Sequence, residues 1–149
     1  MTQQIIDSIN GHLKFTNDFT ISSQTTPEEI VQYFGLKNLD IRDVNTGWNH
    51  YSVRNIKIND IYFIITFYFD NDILKMIDFI VSDKFIVASW DDWTEKKESQ
   101  NRDYYDDWLT KEIGKNRQFS WGTIGSFYDK KGGSSSIVLK YKWPPVDRL

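Results

Sequence analysis

DIYFIITFYFDNDILKMIDFIVSD, residues 60–83, is the stretch that decides the fold. In its first half the large apolar side chains return at every second position, which is the period of a β-strand. These side chains are Ile61, Phe63, Ile65, Phe67 and Phe69. The polar run Asp70-Asn71-Asp72 in the middle is typical of a turn. The stretch therefore predicts two antiparallel strands, over residues 60–70 and 73–82.

The opposite faces of these two strands differ in polarity. The second face of the first strand is only half polar, since it carries Tyr62, Ile64, Thr66 and Tyr68. A strand with apolar groups on both faces is predicted to be covered on both sides. The second strand carries Lys75 and Asp78, so it is expected to expose part of one face to water.

The segments before residue 60 continue the sheet. Residues 39–44 and 49–58 also have a period of two, and Asn59-Asp60 supplies a turn, so a meander of strands is predicted. Farther upstream, TTPEEIVQYFG at residues 25–35 predicts a short helix with a Thr26–Glu29 capping box and a stop at Gly35. Residues 13–21 predict a strand or a small hairpin.

A long helix is predicted over SWDDWTEKKESQNRDYYDDWLTKEIG, residues 89–114. Asp92, with Glu95 three residues later, fits a helix start, and Gly114 fits its end. Apolar residues at helical spacing form a stripe on this segment: Trp93, Tyr104, Tyr105, Trp108, Leu109 and Ile113. The stripe thins at Lys97 and Asn101, which predicts that the helix ends dock on the sheet while its middle faces water or a partner.

Residues 118–128 and 136–143 predict a last hairpin joined by DKKGGSSS. The strands are grouped between helices rather than alternating with them. We therefore expect an α+β fold with two layers, in which a mostly antiparallel β-sheet packs against one short and one long helix. Residues 1–149 are expected to form a single domain, with 144–149 a loose tail.

Composition excludes several classes of protein. The chain has no cysteine, which removes disulfides, thiolate chemistry and sulfur-based zinc sites. Its longest apolar run, residues 61–69, is too short to cross a bilayer, and its N-terminus lacks the pattern of a signal peptide. The net charge is −3 and no dense basic run is present, so nucleic acid is not the expected partner. These features favour a cytoplasmic protein without membrane contact.

Residues able to carry catalysis are few. His50 has no recognised nucleophile motif beside it, so an enzyme that uses His50 is the weakest of three alternatives. The doublets Asp91-Asp92 and Asp106-Asp107 cannot each chelate a metal ion, because adjacent residues on a helix point about 100° apart. Gly132-Gly133-Ser134 lacks the phosphate-loop pattern. No catalytic residue, metal ion or cofactor is therefore predicted.

Aromatic and acidic residues are the main candidates for binding. Trp48, Trp108 and Trp121 fit core positions, whereas Trp90 and Trp93 flank acidic residues at the start of the long helix. Eight carboxylates against four basic side chains between residues 91 and 112 favour a protein partner with a basic surface. The predicted partner-binding residues are Trp90, Asp91, Trp93, Asp103, Asp106 and Asp107. Alternatives are an aromatic groove between sheet and helix for a sugar or other small ligand, and a partner site on the sheet surface carrying Tyr62 and Tyr68.

Four motifs carry a resemblance to known proteins: SWDDWTEKKE, DYYDDWLTKEIG, FSWGTIGSFYD and SSSIVLKYK. The chain resembles a group of small bacterial proteins that look like immunity proteins of toxin systems, and TTPEEIVQYFG and DIYFIITFYF extend the likeness over about four fifths of its length. The resemblance implies a non-catalytic protein that binds one toxin and blocks it.

Overall fold

A computed structural model describes residues 4–16, 18–87 and 94–144. Three short strands come first, β1 (Ile6–Asp7), β2 (His12–Thr16) and β3 (Phe19–Ile21), then helix α1 (Pro27–Phe34) and a 3-10 turn (Leu36–Asn38). Four strands follow: β4 (Leu39–Asp43), β5 (Trp48–Ile58), β6 (Ile61–Asp70) and β7 (Ile73–Ser82). The described chain ends with helix α2 (Glu95–Ile113) and strands β8 (Gln118–Phe119), β9 (Gly122–Asp129) and β10 (Ser134–Tyr141). Of the predicted tail, 144–149, all but Pro144 lies outside the described residues.

Two antiparallel sheets organise these strands. The large sheet has seven strands in the order β4-β5-β6-β7-β10-β9-β8, and β1, β2 and β3 form a small one. The predicted turns are confirmed, because Asn59-Asp60 and Asn71-Asp72 both have positive φ at two successive residues. Such tight turns match the right-handed twist of the strands they join. The Asn71-Asp72 turn joins β6 to β7, and beyond a register shift at Tyr68–Phe69, Ile65 lies opposite Phe79.

One face of the large sheet, the inner face, carries the core. The side chains of Phe63, Ile65, Phe67 and Phe69 are almost inaccessible to water, and burying each contributes about 1.5–3 kcal/mol. From the other layer, the Phe34 ring of α1 lies 6.0 Å from that of Phe67, and α2 packs on β9 and β10. The structure thus confirms the α+β fold and the mostly antiparallel sheet packed against helices.

The opposite face of the sheet, the outer face, is only partly covered. Tyr62, Ile64, Thr66 and Tyr68 are half-buried, so β6 is less enclosed than its sequence indicated. The Phe85 ring lies over this face, 5.7 Å from the ring of Tyr62.

The short helix α1 begins as predicted. Thr26 Oγ1 accepts a hydrogen bond from the Glu29 N–H at 3.2 Å, and the Glu29 carboxylate accepts one from the Thr26 N–H at 3.1 Å. This reciprocal pair satisfies two N–H groups that the first turn of a helix leaves free. Gly35 ends the helix at a φ of 87°.

The start of α2 differs from the prediction. Thr94 caps the helix, since its Oγ1 accepts a hydrogen bond from the Lys97 N–H at 3.0 Å. The prediction that Asp92 caps the helix is therefore wrong, and Asp92 itself lies outside the described residues. Gly114 ends the helix as predicted, at a φ of 84°.

The middle of α2 exposes the side chains of Lys97 and Asn101, as predicted, but this part of the helix also contacts the sheet. Ser135 of β10 donates two hydrogen bonds to Glu98, from its N–H to the carboxylate at 2.8 Å and from its hydroxyl to the carbonyl at 2.7 Å. Ser126 of β9 donates from its hydroxyl to the carbonyl of Arg102 at 2.9 Å. These polar contacts attach α2 to β9 and β10 in the region where its apolar stripe thins.

The small sheet is tied to the other end of the chain. Trp121 donates from its indole N–H to the Ser8 carbonyl at 2.8 Å, and Tyr141 donates from its hydroxyl to the Gly11 carbonyl at 2.7 Å. Gly11 has a φ of 75°, and a Cβ there would lie 2.6 Å from the Trp121 ring. The loop between β1 and β2 therefore requires glycine for both its backbone angle and its contact with the indole.

Within the described ranges, neither helix is long and apolar enough to cross a membrane.

Candidate functional site

The predicted partner-binding residues on α2 are accessible to solvent. Asp103, Asp106 and Asp107 are all exposed. Residues four apart on a helix lie on the same side, so Asp103 and Asp107 form one outward pair, on the side of α2 away from the sheet. Trp90, Asp91 and Trp93 lie outside the described residues, so their geometry relative to this pair stays a prediction.

Not every carboxylate of α2 is available to a partner. Besides Glu98, which binds Ser135, Glu112 accepts hydrogen bonds from the N–H groups of Ile5 and Ile6 at 2.9 and 3.2 Å. These two carboxylates hold the helix against β10 and β1. The charge count of the sequence therefore overstates the negative charge that α2 presents to solvent.

Asp106 has an intramolecular partner as well. Arg117 donates to its carboxylate at 3.0 Å and to the Thr110 hydroxyl at 2.8 Å. The same guanidinium also donates to the carbonyl of Gly114, where the C-terminal end of a helix leaves carbonyls unpaired. Arg117 thus closes the end of α2, and Asp106 helps to hold it there.

A cleft opens between α2 and the large sheet where β7 and β10 diverge. Their pairing ends at Phe79–Ile137, and beyond it the two strands separate around a cavity of about 700 Å³. Its described lining includes Arg54, Thr66, Asp78, Ile80, Phe85, Glu98, Asn101, Tyr104, Tyr105 and Ser136. A groove thus exists between sheet and long helix, and the described aromatic residues that line it are Phe85, Tyr104 and Tyr105.

Burial sets the protonation of the groups in this cleft. It raises the pKa of the Asp78 carboxyl, while a hydrogen bond from Ser136 acts in the opposite direction. Burial, together with the nearby Glu98 carboxylate, raises the pKa of Tyr105 to about 12. Burial and Asp83 raise the pKa of Tyr104 in the same way. At neutral pH both phenols are therefore protonated donors, suited to polar recognition rather than to nucleophilic attack.

His50 lies in a smaller recess on the outer face. This recess of about 180 Å³ is lined by Asp40, Arg42, His50, Ser52, Thr66 and Tyr68. The rings of His50 and Tyr68 lie 4.4 Å apart, and Ser52 shares a hydrogen bond of 2.8 Å with Thr66. Among the described residues, no hydrogen bond joins His50 to Ser52, and no group of three or more His, Asp or Glu residues is placed to hold a metal ion.

Thr66 lines both the cleft and the recess, so the two depressions adjoin on the outer face. Sequence reasoning had singled out Tyr62 and Tyr68 there but missed Asp40, Arg42 and Ser52. The sequence shows that polar residues alternate with apolar ones in β4 and β5. Only the strand register, however, sets Asp40 opposite Ser52 and Arg42 opposite His50.

The three tryptophans expected in the core have different environments. Trp121 is buried, and Trp108 is half-buried with its ring edge-on to Phe63 and Phe79 at 5.8 and 6.0 Å. Trp48 is half-buried at the start of β5. Each of these side chains is at least half-buried within the fold, so none can present its whole surface to a partner.

These features define an α+β protein with a helical layer on one face of a seven-stranded antiparallel sheet and an open polar face on the other. One chain of the solved structure of Rhs1-CT in complex with cognate immunity protein RhsI1 has this fold, with a TM-score of 0.54 and 19% sequence identity. The match covers 92% of this chain and 86% of that chain. No family model matches the sequence, and neither does any curated protein. At the level of fold, the likeness confirms the resemblance to proteins of toxin–immunity systems.

Proposed function

We propose that the protein is a non-catalytic protein-binding module that acts as an immunity protein, binding one bacterial toxin and blocking it. The observation that carries this proposal is the likeness of fold, over nine tenths of the chain, to a chain of a complex that contains a cognate immunity protein. The sequence motifs support the same class independently of the fold. We place this function in the bacterial cytoplasm, where a cysteine-free chain has no need of disulfides.

The proposed contact surface is the outward side of α2 together with the segment before it. Asp103 and Asp107 supply negative charge to attract a basic toxin, since complementary charge mainly accelerates association. Trp90 and Trp93, with Asp91 between them, are proposed as the anchoring residues beside that charge, because buried aromatic side chains carry much of the energy of protein interfaces.

A growth assay tests the proposed role. The tagged chain is first used to capture its partner from the native host. The partner is then expressed in bacterial cells, either alone or together with the chain. We expect growth arrest by the partner alone, recovery when both are present, and normal growth with the chain alone. Growth arrest by the chain alone would assign it the role of the toxin, and failure to restore growth would contradict the immunity role.

A second candidate function is the binding of a small ligand, such as a sugar, in the cleft between α2 and the sheet. The volume of about 700 Å³ favours it, because cavities of about 300–1,000 Å³ are typical of small-molecule sites. Tyr104 offers a partly exposed ring there, with Asp78 and Asn101 as polar partners. A library of monosaccharides and disaccharides, screened by thermal shift, tests this candidate. A hit that Tyr104→Ala abolishes would support it.

The third alternative, an enzyme that uses His50, has the recess with Asp40 and Arg42 in its favour. We expect His50→Ala to leave recovery of growth intact. If this substitution removes a catalytic turnover found in a substrate screen, the enzyme replaces the binding module as the best interpretation.

A further inference from the structure

The first strand of the large sheet has an open edge. β4 pairs with β5 on one side and is the terminal strand on the other. Its residues Asp40, Ile41, Arg42 and Asp43 are all exposed. Open strand edges are sites where another strand can add, and proteins usually protect them.

Apolar side chains are concentrated beside this edge. Leu36 is 64% exposed, Ile41 40% and Val44 37%, so three large hydrophobic side chains within nine residues contact water. A strand that adds to this edge would cover part of this apolar surface.

The pairing with β5 determines which backbone groups of β4 point outward. The Val44 N–H donates to the Trp48 carbonyl at 3.2 Å. Hydrogen-bonded and non-hydrogen-bonded pairs alternate in an antiparallel ladder, so Arg42 and Asp40 direct their backbone groups toward β5. Ile41 then directs both its N–H and its carbonyl to the open side. In the described part of the chain no hydrogen bond to these two groups is present.

A second copy of the same strand fits this edge. If two β4 strands pair antiparallel about a two-fold axis at Ile41, each Ile41 exchanges both backbone hydrogen bonds with its copy. Each Asp43 N–H can also donate to the Leu39 carbonyl of the second copy. The Leu39 N–H takes no part, because it already donates to the Leu36 carbonyl. The pairing would form about four backbone hydrogen bonds.

The side chains of β4 are complementary in the same register. Asp40 of each copy stands opposite Arg42 of the other, twice in the dimer, on the outer face. These positions are non-hydrogen-bonded pairs, in which side chains are closest and opposite charges attract most strongly. Ile41 meets its own copy on the inner face. A shift of the register by two residues would instead place Asp40 opposite itself, so charge selects the register centred on Ile41.

We propose that the protein forms a two-fold symmetric dimer through β4, which joins the two seven-stranded sheets into one continuous sheet. Such an interface is isologous, as in most homodimers. It lies at the end of the sheet opposite β9 and β10, where α2 packs, so the outward side of α2 stays accessible in the dimer. The dimer is independent of the proposed immunity role.

Charge reversal tests the dimer by sedimentation equilibrium over a range of concentrations. Asp40→Arg places arginines at both positions 40 and 42, and Arg42→Asp places aspartates at both. Each variant alone meets like charge in both cross-strand pairs, so we expect its dimer dissociation constant to rise about tenfold or more. Asp18→Arg and Lys130→Asp make the same changes of net charge at exposed positions away from β4, and they should dimerise like the wild type.

Mixing the two variants supplies the decisive measurement. An equimolar mixture of Asp40→Arg and Arg42→Asp restores both opposite-charge pairs, so it should form a heterodimer as tight as the wild-type dimer. The double variant Asp40→Arg/Arg42→Asp should dimerise with itself. Recovery in the mixture also shows that each single variant is folded. A monomeric wild type, or single variants that dimerise as well as the wild type, would overturn the proposal.

Discussion

Thr94 determines where α2 begins. Its hydroxyl accepts the hydrogen bond from the Lys97 N–H, and the carbonyl of Thr94 accepts one from the Glu98 N–H at 3.1 Å. The sequence pattern predicted Asp92, two residues earlier, for this role. A capping side chain must meet an N–H group two or three residues later, and in the folded chain Thr94 satisfies that condition.

We expect Thr94→Ala to lower the free energy of unfolding by about 0.5–2 kcal/mol, because the Lys97 N–H loses its acceptor. Urea denaturation measures the change. Gln100→Ala, at an exposed position of the same helix, is the control and should not destabilise, since alanine favours the helix. If Asp92→Ala destabilises the protein and Thr94→Ala does not, the helix begins earlier than described.

Asp78 makes stability depend on pH. Burial raises the pKa of its carboxyl above the ordinary value of 3.8, so the folded protein holds this proton at pH values where the unfolded chain has released it. The contribution of Asp78 is fully present below pH 3.8 and is lost as pH rises through the folded pKa. At neutral pH the buried charge is therefore a cost to the folded state.

Asp78→Asn removes that charge and keeps an acceptor for Ser136. We expect the variant to be more stable than the wild type at pH 7. At low pH, where the Asp78 carboxyl is protonated in both the folded and the unfolded chain, the two proteins should be about equally stable. Urea midpoints measured across this pH range give the comparison. The exposed Asp60→Asn serves as the control, and an advantage of Asp78→Asn that does not change with pH would rule out ionisation as its cause.

At the scale of elements, polar contacts attach α2 to the sheet. The Ser135 N–H would be a ladder donor if β7 continued beside β10, but the strands diverge there. The Glu98 carboxylate takes that donor instead. A helix residue thus replaces a missing strand contact, and the cleft beside it stays open.

Glu98→Ala removes the acceptor and leaves a buried N–H without a partner. We expect a loss of about 1–3 kcal/mol in the free energy of unfolding, the usual cost of such a group. Glu95→Ala, one turn earlier and exposed, has the same change of charge and should cost less. Equal midpoints for the two variants in urea denaturation would show that Glu98 does not anchor the helix.

At the scale of the whole molecule, the proposed partner contact depends on charge that is not used within the fold. Among the described residues Asp107 has no ion pair, and Asp103 has a long one of 3.6 Å with its exposed neighbour Arg102. Asp106 is held by Arg117 at 3.0 Å. We expect Asp103→Asn/Asp107→Asn to slow association with the captured partner and to reduce the dependence of the association rate on salt. The dissociation rate and the urea midpoint should change little.

Stopped-flow measurements at several salt concentrations test this expectation. Asp18→Asn/Asp72→Asn removes the same total charge from exposed turns and is the matched control. An association rate that is equal for the two double variants at low salt would place the partner site elsewhere, first on the outer face around Tyr62 and Tyr68.

The sequence by itself determined the helices, most strands and the fold class, because these depend on local signals. The period of two in residues 61–69, the capping box at Thr26 and the turn at Asn59-Asp60 each act within a few residues. The stop at Gly114 is equally local. The strand order and the pairing of β7 with β10 join segments about 60 residues apart in sequence, and no local pattern specifies them.

Only the tertiary structure decided which polar residues serve the fold and which remain for binding. Glu98, Asp106 and Glu112 have the same chemistry as Asp103 and Asp107 in the sequence, but they bind Ser135, Arg117 and the backbone of β1. The open edge at β4 and the recess around His50 likewise depend on strand register. A carboxylate or a strand edge is free or occupied according to its neighbours in space, and long-range packing supplies those neighbours.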